Sequence, residues 1–472
     1  MKNIQIICFG LLLLIISSCK TLDTNLSIKE RNIPTSFKTS TDTVTIATIN
    51  WRQYFSDTFL LNLIDTALVS NLDLQMALQR IEIARSGIRF STGELFPKVD
   101  ANIAVGTTKY AKYTEGFAGN STTEFEGKII PNPIQDYFVG LTTTWEIDIW
   151  GKLRNQRKAT ISNYLASIEG KNFVISNLVS DIAIAYYELI ALDNELEIIQ
   201  QTIQKQQEAL DVIKFQKETG KTNKLAVQQF HAQLLNSKAM EKETLQQITE
   251  TENKINFLLG RFPQTIQRNK EILFDEVPQQ IESGIPSKLL SHRPDIREAE
   301  YQVAASKYDL KSAKTAFFPN INLAAALGFQ SFNPQFLFTT PASIGYSALG
   351  GLVAPLVNRN AIKAQFNITK ANQLTAMYYY QKTILNGYVE VVNELSNIQR
   401  LQEINSLKKE QSEVLTESVA TSTELYKTAK ANYLEVLIAQ QNSLQTQLEL
   451  IDVNKRQKFA TVNIYKALGG GW

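Results

Sequence analysis

The chain has 472 residues, with 48 Lys and Arg against 46 Asp and Glu, a formal net charge of +2. That balance excludes a bulk field for nucleic acid, and 44% hydrophobic residues exclude a disordered chain. A mean hydropathy of −0.16 argues against a polytopic helical membrane protein, and two His with two Cys leave little for a metal site or His-based catalysis.

Met1 and Lys2 open with positive charge, and an apolar run follows from Ile4 to Ile16, broken mainly by Gln5. The run is too short to span a bilayer and reads, with Ser17 and Ser18, as a secretory signal over residues 1–18. Cys19 after two small residues is similar to a bacterial lipobox, which makes it the lipidated start of the mature chain. An ordinary signal with an incidental Cys is the alternative. Cys8 lies in the removed part, so one thiol remains and no disulfide can staple the fold. Residues 19–60 are expected as a lipidated tether, Thr/Ser/Asn-rich and without apolar period as far as about Ile46.

Two stretches then read alike. Asn71 to Arg85 carries a helical pattern that ends in Leu95-Phe96-Pro97 and switches to the alternation of Val99, Ala101, Ile103 and Val105. Arg293 to Lys307 does the same, ending in Phe317-Phe318-Pro319 before Ile321, Leu323, Ala325 and Leu327. Proline explains the switch, because it pushes the preceding residue out of the helical region. After a turn-rich loop (about Tyr110 to Asn132, and Ser331 to Pro341) each half returns along a second alternating segment. The four strands are expected at about 98–108, 136–147, 320–330 and 343–353. Each is about ten residues, the length that crosses a bilayer when tilted, with an apolar face and an off-face of Asn, Thr, Ser, Ala and Gly. Trp145 and Trp150 at the end of the second strand fit interfacial anchors. A pair of hairpins in a soluble sheet is the bland alternative.

Long helices follow each pair of strands. Lys152 to Thr219 contains no Pro and a single Gly, Gly170, while Leu178, Ile182, Ala185, Leu189, Leu192, Leu196, Ile199 and Ile203 step by fours and threes. That is a sustained heptad. Ile362 to Thr428 repeats it through Ile384, Tyr388, Val391, Leu395 and Ile398. A helix of about 65 residues spans roughly 100 Å and needs a partner along its length. The partner is the return helix, after Gly220-Lys221-Thr222-Asn223 in the first half and Thr428-Ala429-Lys430-Ala431-Asn432 in the second. These tips are natural docking points, or plain solvated turns.

Four strands cannot close a barrel, and an open edge costs several kcal/mol per unpaired group in hydrocarbon. The smallest membrane barrels have about eight strands, so strands that enter lipid require several chains to share one barrel. The fold class expected is mainly α with a small β part. Long antiparallel helical hairpins would form an α-barrel beside four membrane strands per chain.

These residues carry a resemblance. From about Leu60 to Trp472 the chain is similar to TolC-type outer-membrane efflux factors, in the lipidated branch that serves resistance–nodulation–division (RND) pumps. Its markers are Cys19, the two Phe-Pro junctions, Trp145-Glu146-Ile147-Asp148-Ile149-Trp150-Gly151-Lys152-Leu153-Arg154, Arg293-Pro294-Asp295-Ile296, Tyr433 to Leu437, and Ala467 to Trp472. The resemblance implies two repeats (61–263 and 264–472), a homotrimer with a 12-stranded β-barrel, and an α-barrel extending into the periplasm. It also implies a periplasmic adaptor, an inner-membrane RND pump and outer-membrane lipid as partners. By the same resemblance Tyr426 and Glu435 belong to a periplasmic gate, although Ala431 stands where the family has an Arg and Ile438 where it has a second acid. Gly220, Lys221, Thr222, Ala429 and Lys430 are the adaptor-docking tips, with Ala429 replacing the tip glycine of the first half.

The expected function is passive conduction of drugs and toxic small molecules from pump and adaptor to the exterior. Export of a protein in a type I secretion system is the alternative within this fold, and a lipid-anchored coiled-coil spacer with no channel is the alternative outside it. No enzyme, cofactor or metal is expected. His231 and His292 lack a Ser or Cys partner in a recognisable arrangement, there is no phosphate-cradling glycine loop, and four Met give no Met clusters for copper or silver.

Overall fold

The computed structural model describes residues 23–29, 31–37, 45–275, 283–355, 357 and 359–472, so the signal and the lipobox cysteine Cys19 lie outside the described residues. In chain order the principal elements are α1 (Thr58–Ser70), α2 (Leu72–Gly93), β1 (Lys98–Thr108), β2 (Ile134–Ile147), α3 (Lys152–Glu218) and α4 (Lys224–Leu258). The second half supplies α5 (Pro294–Thr315), β3 (Asn320–Ser331), β4 (Ile344–Val353), α6 (Arg359–Lys427) and α7 (Tyr433–Ala467). The chain is mainly helical with a small sheet part. Both Phe-Pro junctions lie between a helix end and a strand start, where proline stops one backbone geometry and admits the other.

The loop between β1 and β2 is more structured than the turn-rich sequence implies. It holds a short helix, Glu115–Thr122, capped by Thr114, and a two-residue ladder of Glu124–Phe125 against Lys128–Ile129. The missed ingredient is aromatic packing: Phe125 meets Phe332 and Phe336, with ring centroids 5.5 and 5.6 Å apart.

The chain divides into two compact units, and each draws on both sequence repeats. Among the described residues one comprises 23–29, 83–164 and 301–378 and holds an antiparallel sheet in the order β1-β2-β3-β4. Its central pairing joins the return strand of the first repeat to the outgoing strand of the second, with Leu141 opposite Leu327. The flanking registers set Leu141 against Ala101 and Leu327 against Tyr346.

The other unit comprises residues 30–82, 165–300 and 379–472. The predicted heptad of α3 is its spine: Leu178, Ile182, Ala185, Leu189, Leu192 and Ile199 are all buried. Of these, Leu178, Ile182, Ala185 and Leu189 pack with Leu60, Ile64 and Ala67 of α1, with Ile255, and with Ile451 and Val462 of α7. Burying one such side chain contributes about 1.5–3 kcal/mol, so this stripe outweighs the weak intrinsic preference of any one turn. Tyr465 stacks on Tyr54 at 4.1 Å and donates its hydroxyl to the Ile49 carbonyl. A second core gathers Phe37, Leu289, Ile296, Val391, Ile398 and Leu401. Among the described residues α3 alone is long and apolar enough to cross a bilayer, yet more than half of its apolar stretch is buried in protein.

Candidate functional site

The sheet sorts its side chains by face. One face carries the rows Ile103-Val139-Phe329-Ile344 and Ala101-Leu141-Leu327-Tyr346. The opposite face carries Asp100-Thr142-Ala326-Ser347 and Asn102-Gly140-Gly328-Gly345. The apolar face is uncovered, with Ile103 78%, Leu327 57% and Tyr346 85% exposed. Inside a water-facing protein such a face would be a liability.

The glycine row marks a close approach of β2 to β3. A Cβ on Gly140 would stand 2.5 Å from the Gly328 Cα, and one on Gly328 would stand 2.6 Å from the Gly140 Cα. Only a residue without a Cβ fits at both facing positions, so the glycine pair is what lets β2 and β3 approach this closely. Phe138 lies over Gly140 on the same face. Within this sheet, β1 and β4 each have one strand neighbour, and their outer edges pair with nothing among the described residues.

Each Phe-Pro junction holds a tryptophan. The Trp145 indole donates to the Leu95 carbonyl at 3.1 Å, and the Trp150 indole donates to the Pro319 carbonyl at 2.6 Å while stacking on Phe318. Asp148 between them accepts from the backbone N–H groups of Leu153 and Arg154, both at 3.0 Å, and so caps α3. Arg154 and Lys152 turn back onto Asp148 and Glu146. The acidic residues of this motif thus build a strand-to-helix corner, a role the sequence reading did not assign to them.

At the hairpin tips the helices end in matching turns. Gly220 has φ +73°, its N–H bonds to the Lys217 carbonyl, and Lys221 N–H bonds to the Gln216 carbonyl at 2.8 Å. Ala429 has φ +56°, its N–H bonds to the Tyr426 carbonyl, and Lys430 N–H bonds to the Leu425 carbonyl at 2.8 Å. These are the paired bonds of a Schellman end, which asks for a left-handed residue; the second tip supplies it from alanine. Asn223 and Asn432 then cap α4 and α7.

The structure brings the candidate gate tyrosine onto the first tip. The Tyr426 hydroxyl donates to Gln216 and also engages Thr222. Burial pushes its phenol up from the ordinary value, so it remains a donor at neutral pH. Its ring joins Tyr433 against a small core of Leu210, Ile213, Phe230, Leu234 and Leu437. Glu435 is exposed, and its carboxylate accepts from the Asn432 N–H while the Asn432 side chain accepts from the Glu435 N–H, a capping box. The signal was present in the sequence as Asn432-x-x-Glu435. Ile438 and Leu434, one turn apart, are exposed beside it.

Other motif residues are scaffold. Arg293 is buried, forks onto Asp295, reaches Glu390 at 2.6 Å and donates to the Ala467 carbonyl at the end of α7. Gly470 accepts from Ser176, and the Trp472 ring lies under Arg297. His231 is exposed in α4, and His292 bonds Ser291 and the Lys288 carbonyl. Among the described residues no cluster of His, Cys, Asp and Glu fits a metal ion.

A family model described as outer membrane efflux protein matches residues 63–261 and 285–470. SilC of Salmonella typhimurium, a probable outer membrane lipoprotein, is 26% identical over 464 residues, 97% of each chain. CusC, a cation efflux system protein of Escherichia coli, is 27% identical over 425 residues, 89% of this chain and 88% of its own. A crystal structure of CusC superposes with a TM-score of 0.79 at 25% identity, covering 94% of this chain and 99% of the other. TtgI of Pseudomonas putida, a toluene efflux pump outer membrane protein, is 27% identical over 422 residues, 89% and 87% of the two chains.

Proposed function

The chain belongs to the outer membrane efflux protein family and is an outer-membrane protein, and on that premise we propose that it is the outer-membrane channel of a tripartite efflux system. It would work as a homotrimer that passively conducts drugs and other toxic small molecules received from an inner-membrane RND pump through a periplasmic adaptor. The observation that carries this reading is the four-stranded sheet, one face apolar and uncovered, the other small and polar, with both edges unpaired among the described residues. Unpaired edges are untenable in hydrocarbon, and four strands fall short of the smallest barrels of about eight. Three copies joined edge to edge supply twelve strands, the tilted wall of a water-filled passage.

The remaining parts follow from that placement. Cys19 would carry the lipid that tethers each copy to the membrane. Trp145 and Trp150, fixed at the strand ends, would sit at the interface between lipid and water. The tips around Gly220, Lys221, Thr222, Ala429 and Lys430 would meet the adaptor, and Tyr426 with Glu435 would line the periplasmic mouth. With Ala431 and Ile438 at positions where the family carries charge, this mouth lacks the ionic lock. Closure would rest on the Tyr426 hydrogen bonds and apolar contact. Conduction needs no chemistry in the wall, and the energy comes from the pump.

The test is single-channel recording of the purified protein in a planar bilayer, with the mass of the detergent complex measured alongside. Stepwise ohmic conductance from a particle of three chains is the expected result. A monomer, or a trimer that passes no ions in any condition, would overturn the proposal.

A further inference from the structure

We infer that the paired tips form a basic docking surface, and that the partner protein seated on them presents acidic and apolar side chains. The inference rests on the reading that the tips are where the adaptor docks, and it names the chemistry of that contact. Both tips repeat one layout. A left-handed residue (Gly220, Ala429) is followed directly by a lysine (Lys221, Lys430), then by the asparagine cap (Asn223, Asn432), then by a leucine two residues on (Leu225, Leu434). The turn accounts for the left-handed residue and the helix start for the asparagine. Folding makes no use of the other two: both lysines are exposed, and the leucines are 54% and 43% exposed.

One of these charges runs against what its helix wants. Between residues 219 and 240 there are three lysines, Lys221, Lys224 and Lys238, and no Asp or Glu. Between 425 and 434 there are Lys427 and Lys430, again with no acid. Lys224 is the first residue of α4, where the helix dipole is positive and a cation costs about 0.3–1 kcal/mol. Lys427 has Glu424 at 3.8 Å, whereas no carboxylate within ion-pair distance is found for Lys221, Lys224 or Lys430 among the described residues. Glu218 at the end of α3 and Glu435 in its capping box offset part of this charge, but neither lies within ion-pair distance of a lysine among the described residues. Lys224 held against its own helix field, with unpaired Lys221 beside it and unpaired Lys430 on the tip joined to this one through Tyr426 and Gln216, marks charge kept for something outside the chain. Exposed leucines among the lysines, with Phe215 67% exposed beside them, favour a protein with apolar side chains over a surface offering charge alone.

The test uses the full-length protein in amphipol and two synthetic helical peptides, one of Glu and Leu, the other of Lys and Leu. The Glu–Leu peptide should bind the native protein, with an association rate that falls as salt rises through the physiological range. The combined variant Lys221→Glu, Lys224→Glu, Lys430→Glu should bind it about tenfold more weakly and should gain affinity for the Lys–Leu peptide. Replacing Leu225 and Leu434 with Ala should also weaken it. Salt-insensitive binding with unchanged affinity in the charge variant, while Gly220→Trp still blocks the peptide, overturns the acidic partner and leaves tip docking standing. If neither change alters binding, both readings fall. Tighter binding of phosphatidylglycerol vesicles than of the peptide overturns the inference in favour of lipid. Should the Glu variant not fold, Lys→Gln at the same positions reads the same loss.

Discussion

At the scale of single residues, the two tip turns form a natural comparison. Gly220 and Ala429 hold the same left-handed backbone, but only the glycine holds it without a Cβ penalty of roughly 1–2 kcal/mol. A Cβ at Gly220 would meet nothing within 4 Å, so any cost of Gly220→Ala is conformational and not steric. Amide exchange of Lys221, whose N–H closes that turn, should accelerate several-fold in Gly220→Ala and slow to a similar degree at Lys430 in Ala429→Gly. Arg293 is the opposite kind of residue. Its side chain is 7% exposed, and its loss takes the guanidinium from Asp295 and the Ala467 carbonyl, while Glu390, 43% exposed, keeps its bond from Asn386. Arg293→Ala should therefore cost about 3 kcal/mol in thermal unfolding, and Arg293→Lys should recover only part, because one ammonium cannot replace the fork.

At the scale of elements, the close pairing of β2 with β3 depends on two facing glycines. Gly140→Val should prevent β2 and β3 from closing, since the new side chain would meet the Gly328 Cα and the Leu327 carbonyl. Far-UV spectra would retain helix while the proposed trimer is lost from the mass of the detergent complex. Gly119→Val, in a loop helix where a Cβ meets nothing, is the control and should assemble. The elements themselves were largely legible in the sequence. Alternation after Phe96-Pro97 and Phe318-Pro319 exposed the strands, and the steps from Leu178 to Ile203 exposed the long helix, because periodicity is a local property. What joins elements is not local. The pairing of β2 with β3, the reach of Arg293 to Ala467 and the bond from Tyr426 to Gln216 span long stretches of chain, and no spacing rule encodes them. Asp148 and Glu435 lie in between: each caps a nearby helix and had a readable local pattern, yet both had been placed only through resemblance.

At the scale of the whole molecule, family membership and the open sheet point the same way. Sequences about 27% identical serve proteins described for cations in one case and toluene in another. If the chain is the proposed conduit and its pump chooses the cargo, exchanging pumps at constant channel should change the expelled compounds more than exchanging channels at constant pump. Minimum inhibitory concentrations across a panel of solvents, drugs and metal salts would show it.

The unmatched borders of β1 and β4 have a genetic corollary. If each copy completes its neighbours, a defective copy that folds is built into the ring instead of being set aside, and it disables sound subunits with it. Gly220→Trp suits such an experiment, because its position is open to solvent. Expressed in equal amounts with the native chain, and if one bad tip spoils a ring of three, it should leave only about one ring in eight intact, so that a recessive-looking surface change behaves as dominant. Efflux at half its normal level in that mixture would mean that subunits act alone.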